Sequence, residues 1–173
     1  MPDATGLELV AADVRDKVGD AAVVGTIFHR EQATLEVAPA NVHDVVSYLK
    51  NDADDPYDWL MSVHGCDYLP DEPRLGVHYM LLSTARVERL NVRTRMSVDE
   101  ARVPTVTDLF PTADFQEREA YDMFGVVFEG HPDLRRILMP EDYEGFPQRR
   151  DFPMGGEPVI FTFNEQQMPR WYE

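Results

Sequence analysis

The sequence predicts an α+β fold: a mixed or antiparallel sheet with helices packed on one face, followed by an extended C-terminal arm. Three observations lead there. Helical and strand periodicities alternate along the chain as helix, two strands, helix, three strands, an order that suits a sheet with helices on one side. In 87–96, Leu90, Val92, Thr94 and Met96 alternate with Arg89, Asn91, Arg93 and Arg95, which gives one packed face and one face that is wet or partnered. From 126 to 158 the periodicity is lost in a run with five prolines, four glycines and four arginines.

Taken in order, Leu7, Val10, Ala11, Val14 and Val18 share one face of a helix over 7–18, ended by Gly19. Residues 22–29 are rich in Val, Ile and Phe, and 33–38 alternate apolar and polar, so the two read as a hairpin. Asn41 is placed to cap the next helix, Asp44 sits in its first turn, and Val42, Val45, Val46 and Leu49 form its buried stripe. After a polar turn over 51–58, the segments 59–68, 75–84 and 87–96 read as three strands. A short helix is expected over 104–110, and a longer one over 113–124 with Gly125 in the position that ends it. On that helix Asp114, Arg118 and Asp122 stand at i, i+4 and i+8, the spacing of a carboxylate–guanidinium–carboxylate ladder. The segment 126–158 is too aromatic and aliphatic for simple disorder and reads as an arm that needs a surface to lie on. A strand over 159–163 and a polar, aromatic tail close the chain. The expected division is an α+β domain over 1–103, motif helices over 104–125, and an arm and tail over 126–173 packing on the domain or on partner subunits.

Composition narrows the function. The 173 residues suit one domain, and 32 acidic against 16 basic side chains give a net charge of −16. That charge argues against nucleic acid and against an anionic membrane as broad partners. A single cysteine, Cys66, excludes an internal disulfide and an iron–sulfur cluster held by this chain alone. The longest apolar run, about five residues, is far below the ~20 needed to span a bilayer, so no direct membrane insertion is expected. Fourteen of the sixteen basic residues are arginines, a bias ranked first as genomic, ahead of salt adaptation and of bidentate pairing with carboxylates.

The densest chemistry lies in Glu117-Arg118-Glu119-Ala-Tyr-Asp122-Met-Phe124-Gly125 and the following His131-Pro-Asp133-Leu-Arg135-Arg136. Glu119, Asp122 and His131 form an imaginable acid–base or metal group: Glu119 and Asp122, at i and i+3, can share a helix face, and His131, past the glycine, can fold back to them. The stronger reading is a charged helix and an arginine-rich arm that pair within the fold or with a partner. His29 and His78 read as hydrogen-bonded strand residues, and Cys66 as a small buried one. Arg135-Arg136 and Arg149-Arg150 suit an anion, yet Asp133 and Asp151 stand beside them. No phosphate-cradling glycine loop occurs. The expectation is no catalytic, cofactor-binding or metal residue in this chain.

The run Glu117-Arg118-Glu119-x-x-Asp122-Met123-Phe124-Gly125, continuing ungapped through His131-Pro132-Asp133-Leu134-Arg135-Arg136-Ile137-Leu138, resembles the signature of the C-subunit family of NADH:quinone oxidoreductase, respiratory complex I. The block Met139–Pro147 and Arg150-Asp151-Phe152-Pro153 resembles the same family's continuation. The resemblance implies a non-redox subunit of the peripheral arm, on the cytoplasmic side of the cell membrane, in a translocase that couples NADH oxidation to quinone reduction and proton translocation. It implies packing against the quinone-site subunit and the subunit bearing the terminal cluster, with NADH, FMN, iron–sulfur clusters and quinone bound elsewhere in the complex. Isolated, such a chain is expected to be able to form a homodimer. Glu117, Arg118, Glu119 and Asp122 are then interface or motif-holding residues. Phe124 anchors the helix end, Gly125 makes the turn, and His131 and Arg135 tie the arm. Asp133, Arg136, Arg150 and Asp151 complete the set. Two positions depart from the family: Phe146 stands where histidine is frequent, and Gln148 where an aliphatic residue is. The alternatives are the equivalent subunit of a membrane-bound hydrogenase or other-donor oxidoreductase, and, in another class, a small standalone metal-dependent enzyme.

Overall fold

The computed structural model describes residues 2–153, so the strand expected over 159–163 and the tail lie outside the described residues. The chain runs α1 (Ala4–Lys17), β1 (Val23–His29), β2 (Gln32–Val37), α2 (Val42–Asn51), β3 (Trp59–Asp67), β4 (Leu75–Ser83), β5 (Glu88–Met96), β6 (Arg102–Pro104), α3 (Ala113–Phe124) and β7 (Val127–Glu129). Asp3 starts α1 by accepting the Gly6 amide at 2.7 Å, four residues before the apolar stripe that marks the helix in the sequence. Asn41 occupies the position before α2 but its side chain makes no capping bond; a 3-10 turn over Pro39–Asn41 leads the chain in instead.

Five strands form one sheet in the order β1-β2-β5-β4-β3, antiparallel throughout except for the parallel β2–β5 pair. Register fixes its two faces. Leu35 stands beside Val92, Val92 beside Tyr79, and Tyr79 beside Val63, and all four are buried. The apolar stripes of the helices close over this side: Leu7, Ala11 and Val14 from α1; Val42, Val45, Val46 and Leu49 from α2; Ala113, Ala120, Met123 and Phe124 from α3. Each fully buried Val or Leu here is worth about 1.5–3 kcal/mol over its exposed form. The alternate residues of the strands face the opposite side.

The segment 104–110 is not a helix. Pro104 ends β6, which pairs in parallel with β7, and the Thr105 amide donates to the Glu129 carbonyl at 2.9 Å. The Val106 amide donates to the Glu117 carboxylate at 2.9 Å. With those groups committed elsewhere, only a single turn forms, where the Phe110 amide meets the Val106 carbonyl. The strand β7 likewise opens the stretch that the sequence reads as structureless.

At Gly65, β3 passes directly beneath α3. A Cβ there would come within 2.4 Å of the Phe124 ring, whereas one at Gly25 would sit at an ordinary 3.6 Å from Glu36. Gly65→Ala is expected to lower stability by about 1–3 kcal/mol through overpacking, and Gly25→Ala by less than about 0.5 kcal/mol as at an unencumbered surface site. Urea denaturation of the two variants checks this.

Candidate functional site

The last turn of α3 is the centre of the site. The Asp122 side chain is fully buried, and its Oδ2 accepts three successive backbone amides of the arm, Ile137 at 3.0 Å, Leu138 at 2.8 Å and Met139 at 2.9 Å. Its Oδ1 takes the Arg136 guanidinium at 2.6 Å. Burial alone would raise the Asp122 carboxyl; the Met139 amide, Arg136 and the Leu138 and Ile137 amides outweigh it and hold the group below the usual carboxylate range. Arg136 also reaches the Asp122 carbonyl at 3.1 Å and the Gly145 carbonyl at 2.9 Å, so one guanidinium joins the helix to two points of the arm.

The arm also caps the helix. The carbonyls of Met123 and Phe124, which a helix end leaves unpaired, accept the Gln148 amide at 3.2 Å and Arg149 Nε at 2.7 Å. Two cations close to a helix C-terminus also suit its dipole. Gly125 turns the chain at φ +78°, and a Cβ there would meet the Phe146 ring and Arg149 Nη2 at 2.6 Å. The departure Phe146 therefore fills the turn and stacks against two guanidiniums, at 5.5 Å from Arg136 and 4.4 Å from Arg149. Gln148 contributes its backbone amide.

A second tie holds the far end of the arm. Arg74 pairs with Asp67 through Nε at 2.9 Å and Nη2 at 2.6 Å, and with Asp151 at 2.7 and 2.6 Å. The Arg150 amide donates to Asp67 Oδ2 at 2.7 Å, and its guanidinium to the Leu69 carbonyl. The Leu69 amide donates to Asp67 Oδ1 at 2.9 Å, and Arg74 with the Arg150 and Leu69 amides holds Asp67 well below the usual carboxylate range.

Glu117 is fully buried, where its carboxylate accepts Thr105 Oγ1 at 2.5 Å and the Val106 amide at 2.9 Å. Burial pushes its pKa up to about 7, against the pull of those two donors. His131, also buried, places Nε2 3.3 Å from the Asp114 carbonyl, 3.6 Å from the Asp114 carboxylate and 4.0 Å from Glu117. Its Nδ1 accepts the Asp133 amide at 3.1 Å, which leaves Nε2 to carry the proton of a neutral ring.

The structure separates what the sequence groups. The Asp114–Arg118–Asp122 ladder does not form: Arg118 donates instead to the carbonyls of Arg135 and Arg136, both at 3.2 Å. Glu119 is exposed and pairs with no cation among the described residues. Asp133 and Arg135 pair with each other at 2.9 Å, both largely in solvent, whereas Asp151 is taken by Arg74 and not by its arginine neighbours. Glu119, Asp122 and His131 are not brought together as an acid–base or metal group. His78 is hydrogen-bonded as expected, but His29 is exposed without a partner among the described residues, and Cys66 is half-buried where the sequence suggests a buried residue. The sequence gives no sign of Asp67, Arg74 or Thr105, because each finds its partner only through the fold; Arg74 and Asp151 are 77 positions apart.

A family model described as the respiratory-chain NADH dehydrogenase 30 kDa subunit matches residues 35–158. The C-subunit of NADH-quinone oxidoreductase from Roseiflexus castenholzii is 44% identical over 147 residues, covering 85% of this chain and 84% of that protein. The trypsin-resistant fragment (1–134) of Nqo5 superposes with a TM-score of 0.59 at 30% identity, covering 74% of this chain and 98% of the fragment. A chain of the membrane-bound sulfane sulfur reductase, described as an archaeal respiratory membrane complex, gives 0.65 at 25% identity over 85% of both chains.

Removing the Asp122 carboxylate strands Arg136 and three amides. Asp122→Ala is expected to cost about 3–5 kcal/mol, with fast amide exchange at Ile137, Leu138 and Met139 as its local signature. Glu117 sets a pH dependence of the opposite sign to an ordinary carboxylate. Its folded pKa of about 7 lies above its ordinary value of 4.5, so the folded chain binds more protons between those values. Its contribution is complete below the lower value and is lost as pH rises through the upper one, by up to about 1.4 kcal/mol per pH unit. Denaturation at pH 5, 6 and 7 should show this slope in the wild type and not in Glu117→Gln.

Proposed function

Because the chain belongs to the respiratory-chain NADH dehydrogenase 30 kDa subunit family, we propose that it is the non-redox peripheral-arm subunit of an NADH-quinone oxidoreductase and acts by holding other subunits in place. The observation that carries this reading is the use of Asp122. A carboxylate that accepts three consecutive amides and an arginine is committed to shape. It holds the arm as a fixed surface on which the motif residues Glu119, Arg135 and Leu138 stand outward, with Phe115 exposed beside them on the same helix. Exposed charges beside apolar side chains set register and partner choice at an interface.

The partners are the quinone-site subunit and the cluster-bearing subunit, and the chain sits peripherally on the cytoplasmic side of the membrane. Among the described residues no helix is long and apolar enough to cross a membrane, so attachment comes through those neighbours. NADH, FMN, iron–sulfur clusters and quinone belong to the rest of the complex, which couples their chemistry to proton translocation. The likeness to a chain of the sulfane sulfur reductase favours a second reading, the equivalent subunit of a respiratory membrane complex with another electron donor or acceptor. Co-purification of NADH-binding and flavin-bearing subunits with this chain selects the first reading, and their absence from an otherwise intact complex selects the second.

Arg118 joins the exposed surface to the arm carbonyls. Arg118→Ala is expected to lower the amount of assembled complex several-fold and to leave turnover per assembled complex unchanged. NADH:quinone activity normalised to bound flavin in solubilised membranes reads both quantities. Normal assembly with reduced turnover overturns the holding role.

A further inference from the structure

We propose that the face of the five-stranded sheet turned away from the helices is a second docking surface, and that its occupant is a carboxylate-bearing segment of another subunit of the same complex. The inference rests on the subunit reading above, but on residues outside the signature.

One end of this face is polar and built to a fixed geometry. The Tyr68 ring lies over Gly76, where a Cβ would come within 2.6 Å of it. The Tyr68 hydroxyl lies 2.7 Å from His78 Nε2, and the Asn91 amide donates to His78 Nδ1 at 3.0 Å and to Thr34 Oγ1 at 3.1 Å. His64 stacks parallel on His78 with ring centres 5.0 Å apart. On this platform rest two guanidiniums, Arg95 at 4.4 Å from the centre of the Tyr68 ring and Arg93 at 5.6 Å.

The guanidiniums are under-used. Arg93 pairs with Glu36 at 2.6 Å, but its Nε, and both Nε and Nη2 of Arg95, are out of water with no acceptor among the described residues. A buried donor left unpaired is costly, and an aromatic face offsets only part of that cost. A guanidinium oriented by stacking is complementary to a planar carboxylate, with which it forms paired, charge-assisted bonds. The described residues do not supply one to these atoms. Among the described strand residues that point to this side, Glu36 is the only acid, facing Arg89, Arg93 and Arg95. A cationic patch on a chain of net charge −16 selects an acidic partner. The other end of the face is apolar: Trp59, 58% exposed, stands across from the half-buried Leu82, and the half-buried Met80 follows on the same side. The occupant therefore carries a carboxylate at one end and apolar side chains at the other.

Cys66, the chain's only cysteine, lies on this face and reports its coverage without substitution. Alkylation of Cys66, followed by peptide mass, is expected to be at least tenfold slower in the assembled complex than in the isolated chain. A photoreactive benzoylphenylalanine in place of Trp59 is expected to capture a segment of another subunit that contains Asp or Glu. Arg95→Glu should reduce that capture at least tenfold, and reversing the captured acid to arginine should restore it. Arg95→Gln, which removes the charge without reversing it, is the substitute where Arg95→Glu lowers the unfolding midpoint. Equal alkylation in both states overturns the proposal. So does capture that ignores Arg95, and so does capture of a segment lacking a carboxylate, of a second copy, or of residues 154–173 of the chain itself. Failure of the unaltered chain to co-purify with other subunits overturns instead the subunit reading on which the proposal rests.

Discussion

The arrangement of the second half of this protein depends on one buried carboxylate. Asp122 sits where a helix ends and where its own carbonyls need donors, and it gathers the amides of Ile137, Leu138 and Met139 onto one oxygen. A segment with five prolines and four glycines between 126 and 158 has little regular hydrogen bonding of its own and a large ordering entropy to overcome. Three amides on one anion fix the backbone at consecutive positions, which a single side-chain contact cannot do. Arg136 neutralises the anion and extends the same tie to Gly145. With 136–139 fixed, Phe146 is placed to fill the Gly125 turn, and Arg149 to reach the Phe124 carbonyl. The Arg74 bridge then holds Asp151 against the end of the sheet.

The signature divides into two physical groups on this account. Glu117, Asp122, Phe124, Gly125, His131 and Arg136 face inward and hold the helix, the two-stranded sheet and the arm together. Glu119, Asp133 and Arg135 face outward. A residue of the first kind can matter for assembly without touching a partner, because it shapes the surface on which residues of the second kind stand. Arg118 belongs to both groups: its guanidinium holds arm carbonyls, and it lies 5.8 Å from the centre of the exposed Phe115 ring.

The fold was readable in the sequence wherever packing follows a period. The stripes of α1, α2 and α3 and the alternation of β5 locate the core because each buried position recurs with the geometry of its element. Gly125 was readable too, as a residue past a helix end. What was not readable depended on partners far along the chain. The 104–110 segment is expected as a short helix, but Glu117, which the sequence marks as an interface or motif-holding residue, draws in the Val106 amide. The ladder of Asp114, Arg118 and Asp122 has ideal spacing, yet an exposed pair of that type is worth only about 0.3–0.5 kcal/mol, less than burying Asp122 among three amides and an arginine. Local spacing loses wherever the arm offers a carboxylate or guanidinium more, and better-desolvated, bonds.

The preference for arginine over lysine acquires a physical component on the same grounds. A genomic bias accounts for arginines that merely sit in solvent, such as Arg102, 65% exposed and 3.8 Å from Glu129. It does not account for Arg74, whose fork donates four bonds to two carboxylates, nor for Arg136, which joins a carboxylate and two carbonyls in different segments. A lysine ammonium is a compact point charge on a flexible stem; it has three donors but cannot present them in a plane to two acceptor groups. Arg95 and Arg149 add a further requirement, since each carries its guanidinium carbon over an aromatic ring, 4.4 Å from the centre of Tyr68 and of Phe146 respectively. These positions share one demand: a strongly acidic chain with a long irregular arm needs cations that tie several segments at once. Where that demand is absent, the choice of basic residue is open to composition. Where it is present, as around Asp122 and between Asp67 and Asp151, geometry dictates arginine.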